Sequence, residues 1–126
     1  MRVLIADDST MVRRQLRRLL ETHLQGAVVE EAEDGRQAVD KVIQAFPDIV
    51  ILDVAMPTLN GLGATEQITT IAPDLPVVIY TMYATPHIER EAKNRGAKAV
   101  VPKGDFGALV SVIEQLLPNA RTRQLA

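Results

Sequence analysis

A chain of 126 residues that is 47% hydrophobic and 24% charged has the profile of one globular domain able to bury its own core, and it leaves no room for a second domain of ordinary size. A formal net charge of −2, reached with Arg121 and Arg123 in the last residues, suits no phosphate-backbone binder, so direct nucleic-acid binding by this domain is not expected. With no cysteine, a disulfide framework, a thiolate zinc site and thiol catalysis are excluded, and with neither a signal peptide pattern nor an apolar run near the roughly 18 residues of a membrane span, a cytoplasmic protein away from the membrane is expected.

Val3-Leu4-Ile5-Ala6 is a short apolar run that ends in Asp7-Asp8-Ser9 and reads as a first buried strand. The period then changes. Val12, Leu16, Leu19 and Leu20 fall within about 100° on a helical wheel, with Arg13, Arg14, Arg17 and Arg18 on another side, so an amphipathic helix follows, capped by Asp8 or Ser9. Its arginine side reads as a solvated face, with partner docking as the alternative. Gln25-Gly26 ends this helix, and Ala27 to Ala32 is a less hydrophobic strand placed nearer the sheet edge. After the turn Glu33-Asp34-Gly35, the stretch Gly35 to Phe46 carries Ala38, Val39, Val42 and Ile43 at helical spacing, and Pro47 stops it.

Ile49-Val50-Ile51-Leu52, confined between Pro47 and Pro57, is too short for an ordinary helix and reads as a strand buried on both faces, with Asp53 at its end. Pro57-Thr58-Leu59-Asn60-Gly61 is a loop by its turn chemistry, and Leu62 to Ile71 is a third helix with Ala64, Ile68 and Ile71 inward. Val77 to Tyr80 repeats the strand pattern and ends in Thr81, and Pro86 to Arg95 is a polar helix closed by Gly96. Ala99-Val100-Val101 forms the last strand, ending at Pro102-Lys103. From Asp105 to Leu117 a final helix sets Phe106, Leu109, Val110, Ile113, Leu116 and Leu117 on its apolar side. Pro118 breaks it, so residues 1–117 read as one domain and 118–126 as a C-terminal tail or linker stub.

Strand and helix thus alternate five times, which predicts an α/β fold: a doubly wound, five-stranded parallel sheet with five helices on two faces. With the flavodoxin-like order 2-1-3-4-5 the switch point lies between the first and third strands, whose ends carry Asp7, Asp8 and Asp53. Three carboxylates in one crevice require a raised pKa or a cation among them. A hard divalent ion such as Mg²⁺ suits carboxylates, a backbone carbonyl and waters, with Asp8 and Asp53 as direct ligands, Asp7 direct or through water, and the Ala55 carbonyl as a further donor. The hydroxyl of Thr81 and the ammonium of Lys103 end two more strands and complete a pocket complementary to a phosphoryl group, with Asp53 as nucleophile. Taken singly, Asp8 is a helix cap as readily as a ligand, Asp53 turn polarity, Thr81 a solvated strand end and Lys103 a surface lysine. Their joint placement is what favours chemistry.

Asp7-Asp8 after the first strand, Asp53 followed by Met56-Pro57 and Asn60-Gly61, Thr81, Gly96-Ala97 and Lys103, in this order and spacing, resemble the receiver domain of bacterial two-component response regulators over Arg2 to about Leu117. The resemblance implies a signalling switch rather than a conventional enzyme. Asp53 would accept a phosphoryl group from a sensor histidine kinase or histidine phosphotransfer protein, or from a small donor such as acetyl phosphate, with Mg²⁺ held by Asp7, Asp8 and Asp53. Thr81 and Lys103 would contact the phosphoryl oxygens and reshape the face spanning residues 86–117 for output or for homodimerisation. Three departures stand out. Val100 occupies the position where many relatives carry a switch aromatic, leaving Tyr83 as the alternative; Gly104 follows the lysine where a cis-proline is common. Ala55 and Tyr83, two residues beyond Asp53 and Thr81, offer no amide or carboxylate to hold an attacking water, which implies slow self-dephosphorylation.

The competing reading is a receiver-like interaction module that works without phosphorylation; the intact set Asp7, Asp8, Asp53, Thr81 and Lys103 argues against it. An aspartyl-phosphate phosphatase would want an acid at Ala55, and a nucleotide-binding enzyme would want a glycine-rich loop where Asp7-Asp8-Ser9-Thr10 stands.

Overall fold

The computed structural model describes residues 1–118, so the proposed tail, apart from Pro118, lies outside the described residues. The elements are β1 (Arg2–Ala6), α1 (Thr10–His23), β2 (Val28–Ala32), α2 (Gly35–Ala45), β3 (Ile49–Leu52), α3 (Gly61–Ile71), β4 (Val77–Thr81), α4 (Pro86–Asn94), β5 (Ala99–Pro102) and α5 (Phe106–Leu116). All strands run parallel in the order β2-β1-β3-β4-β5, as the alternation of patterns predicts. β3 and β4 are buried along their whole length because both faces are covered, and β2 is an edge strand with Glu30 and Glu31 half-buried.

Successive strand residues point to opposite faces, so the sheet divides the core in two. Leu4, Ala6, Val50, Leu52 and Ile79 pack with Val39, Val42, Ile68 and Ala92 from α2, α3 and α4. On the other face Val3, Ile5, Ile49, Ile51 and Val78 pack with Leu16, Leu20, Leu109 and Ile113 from α1 and α5.

Local chemistry sets the helix starts. Ser9, Asp34, Asn60, Thr85 and Asp105 each cap a helix by accepting a backbone N–H from within its first turn. Gly96, at φ 110°, terminates α4 in the left-handed conformation that glycine allows. Ile71, expected inward, is 41% exposed instead, and Ile43, at helical spacing with Ala38, Val39 and Val42, is 53% exposed. Ile43 directly follows the last buried residue of α2, Val42, and Ile71 is the last residue of α3, three beyond buried Ile68.

Candidate functional site

Sheet register brings the acidic residues together. Ala6 pairs with Leu52, so the next residue of each strand, Asp7 and Asp53, leaves the sheet side by side, and the Asp53 amide donates to the Ala6 carbonyl at 3.0 Å. Asp7 and Asp53 are buried at 4% and 7% exposure, and Asp8 is exposed. Carboxylate oxygens of Asp7, Asp8 and Asp53 lie within 4.8 Å of one another. Of the two candidate caps for α1, Ser9 takes the role, accepting the Val12 N–H at 3.3 Å, and the Asp8 carboxylate is left for the crevice.

The far side of the site comes from β4 and β5. Thr81 pairs with Pro102, and the Lys103 amide donates to the Thr81 carbonyl at 2.9 Å. From there the Lys103 side chain spans the crevice, its Nζ donating to Asp7 Oδ2 at 2.6 Å and to Asp53 Oδ2 at 2.8 Å. Asp7 Oδ1 accepts the Ser9 N–H at 2.9 Å, and Asp53 Oδ1 accepts the Ala55 N–H at 3.4 Å. Thr81 is fully buried, and its hydroxyl oxygen accepts the Tyr83 N–H at 3.2 Å. Tyr83 itself is 58% exposed, and Val100 packs half-buried on the α2–α4 side of the sheet.

Burial raises the Asp7 carboxyl above its ordinary value, against the hydrogen bonds from Lys103 and the Ser9 amide that favour its charged form. For Lys103, burial works downward, but the hydrogen bonds and charges of Asp53 and Asp7 outweigh it and its pKa ends above the ordinary lysine value. One ammonium facing three carboxylates leaves the crevice net negative and lined with hard oxygen donors. That donor set fits a hard divalent cation such as Mg²⁺.

Arg13, assigned by periodicity to the solvated face of α1, is buried at 6% exposure. Its guanidinium donates to the Asp7 carbonyl at 2.7 Å, to Glu31 at 3.0 Å and to the Thr10 hydroxyl at 3.2 Å. The arginine therefore ties α1 and the edge strand to the backbone of an acidic-pocket residue. A signal was present in the sequence: Arg13 stands in stripe with buried Leu16 and Leu20, and β2 carries Glu31 as its partner. Arg14, Arg17 and Arg18 remain on the outer side, Arg17 pairing with Glu31 and Glu21.

The loop after Asp53 is shaped by close backbone approach. Thr58 has φ 68° in a tight turn closed by the Leu59 N–H on the Pro57 carbonyl at 2.7 Å. Gly61 then passes so near that a Cβ there would lie 2.0 Å from the Asp53 carbonyl oxygen. Gly35 meets the Leu59 carbonyl in the same way, which latches this loop to the start of α2.

A doubly wound parallel sheet with an acidic pocket and a half-buried lysine at its switch point defines a class of α/β signalling and phosphoryl-handling modules. The family model described as "Response regulator receiver domain" matches residues 3–114, and the chain belongs to that family. Receiver domains are the phosphorylation-dependent switches of two-component systems, and this chain is a receiver domain. It is 39% identical over 102 residues to the transcriptional regulatory protein YdfI of Bacillus subtilis, an alignment covering 81% of this chain and 47% of YdfI. Among solved structures it resembles a LuxR-family two-component response regulator from Aurantimonas, with TM-score 0.87 and 33% identity over 95% of this chain and 86% of that one. It also resembles the response regulator TrrA of Thermotoga maritima, solved in complex with Mg²⁺ and BeF, with TM-score 0.83 and 29% identity over 92% and 98% of the two chains. The chain spans less than half the length of the curated relatives cited first. Among the described residues no helix is long and apolar enough to cross a membrane.

Proposed function

We propose that Asp53 is the phosphoacceptor, taking a phosphoryl group from a phosphohistidine of a sensor kinase or histidine phosphotransfer protein in the cytoplasm. The observation that carries this reading is the placement of Lys103 Nζ against both Asp7 and Asp53 at the strand ends. An Asp53 carboxylate oxygen forms the new bond to phosphorus as the phosphorus–nitrogen bond of the donor breaks, and the imidazole leaves with the nitrogen lone pair. Lys103 lies where it can neutralise the phosphoryl oxygens as the charge on Asp53 is spent. Thr81, buried at the end of the neighbouring strand, supplies a hydroxyl to the same group once it releases the Tyr83 amide. Asp7, Asp8, Asp53 and the Ala55 carbonyl would hold Mg²⁺, which when bound offsets the charge shared by donor and acceptor.

Movement of Thr81 toward the phosphoryl group biases the face of α4, β5 and α5, residues 86–117, between two arrangements, for output binding or homodimerisation. Residues 1–117 form the receiver domain in this reading, and 118–126 a tail or linker.

Incubation with acetyl phosphate and Mg²⁺ followed by intact-mass spectrometry tests the proposal. One added phosphoryl mass in the wild type and none in Asp53→Asn supports it. No gain from any donor would leave the non-phosphorylated interaction module as the surviving reading.

A further inference from the structure

Tyr80, the residue before Thr81, turns its ring to the α1–α5 side of the sheet and is 8% exposed. It lines a cavity of about 210 Å³ together with Leu16, Leu19 and Phe106, and Lys103 and Gly104 form part of the same wall. Its phenol oxygen accepts the Gly104 N–H at 3.2 Å. The carbonyl of the next residue, Thr81, accepts the Lys103 N–H at 2.9 Å. Two consecutive residues of β4 therefore grip two consecutive residues of the β5–α5 loop, one through the main chain and one through a side chain.

Glycine at 104 makes this grip available. Its φ of 95° turns the chain sharply, and it keeps an N–H that a proline would lack. Lys103 reaches two carboxylates from this loop, so the loop's height above the sheet decides whether both contacts form at once.

We propose that Tyr80 is a positioning residue for phosphoryl transfer at Asp53: its phenol oxygen holds Gly104 and thereby sets Lys103 to span Asp7 and Asp53. Tyr80 carries this role only if Lys103 serves Asp53 as proposed above. The ring belongs to the core, and the single oxygen atom is the functional part, so Tyr80→Phe separates the two.

Two measurements on Tyr80→Phe and wild type test the assignment. Amide hydrogen exchange, which needs no phosphorylation, should show Gly104 exchanging about 3- to 10-fold faster in Tyr80→Phe, the range that one net hydrogen bond supplies, with core amides such as Ile51 unchanged. The initial rate of phosphorylation by acetyl phosphate should fall by a similar about 3- to 10-fold at saturating Mg²⁺, with Mg²⁺ bound no more weakly, since a displaced Lys103 competes less for Asp7 and Asp53. A purely structural loss would speed core exchange and weaken Mg²⁺ binding as well, and that outcome overturns the positioning role. Unchanged Gly104 exchange overturns the latch whatever the rate does. If Gly104 exchange rises and wild type phosphorylates but the variant matches its rate, the hydrogen bond is real and the role is not. If wild type takes no phosphoryl group, the phosphoacceptor reading itself fails and the positioning role falls with it, and the exchange result still reports on the hydrogen bond alone.

Discussion

Arg13 donates from its guanidinium to the backbone carbonyl of Asp7 at 2.7 Å, so a basic side chain from the first helix holds the main chain of an acidic-pocket residue without neutralising its carboxylate. Truncation to Arg13→Ala strands that carbonyl and leaves Glu31 to Arg17 alone, and a loss of about 2–3 kcal/mol in urea unfolding is expected, the scale of hydrogen bonds to charged groups. Arg13→Lys should recover less than half, since one ammonium cannot reproduce a planar fork. A loss within measurement error for Arg13→Ala would show that the network is energetically idle.

For Asp7, pH dependence follows from burial. Its folded-state pKa lies above the ordinary value of 3.8, so the folded state holds the proton longer than the unfolded state does. Stability from this group therefore falls as pH rises from about 4 through the raised pKa, and the full loss is present above it. Unfolding free energy of wild type minus Asp7→Asn, followed from pH 4 to 8 in EDTA, should decline, and Mg²⁺ should flatten the decline by favouring the charged form. A rising difference would contradict the assignment.

Lys103 carries the opposite sign. Its folded pKa is raised above 10.5, so its contribution is fully present below that value and is lost as pH climbs through the folded pKa. Wild type minus Lys103→Met should stay level from neutral pH to about 10 and shrink only beyond. Shrinkage already at pH 8 would mean the ammonium is not held as described.

Gly61→Ala places a methyl carbon 2.0 Å from the Asp53 carbonyl oxygen, and both partners are backbone, so neither can swing away. A destabilisation of about 1–3 kcal/mol is expected from overpacking, together with slower phosphorylation as Asp53 shifts. Thermal unfolding and phosphorylation rate unchanged from wild type would disprove the tight approach.

Ala55, exposed beside the pocket, offers no group to orient a water against an aspartyl phosphate. The phosphorylated form is expected to decay slowly in Mg²⁺ without a phosphatase, and Ala55→Asn to hasten decay several-fold. Rapid loss in the wild type, followed by mass spectrometry over time, would contradict this.

The parallel sheet and its order were legible because each strand is a short aliphatic run and each helix a repeating stripe. Asp7, Asp8, Asp53 and Lys103 were legible as a group because they follow such runs directly, and the registers of β1 with β3 and β4 with β5 bring their elements together. Periodicity says less about depth. It placed Ile71 inward and Arg13 outward, since a helical wheel ignores where the packed stripe ends and what partner a charge meets. Thr58 at positive φ and the Tyr80–Gly104 contact depend on neighbours more than twenty residues away or on loop closure, and neither leaves a local pattern.

The edges of the sheet carry a last consequence. On β2, Glu30 pairs with Arg2 and Glu31 with Arg13 and Arg17, so the outer rim on that side is flanked by fixed charge. On the opposite side β5 ends in Pro102, which has no N–H to lend to a passing strand. Neither rim presents the neutral, unbroken row of donors on which a foreign strand could zip, so crowding of many copies should not seed fibres through the sheet. Any contact between two copies is left to the helix faces, where it can be made and unmade without tearing the sheet open.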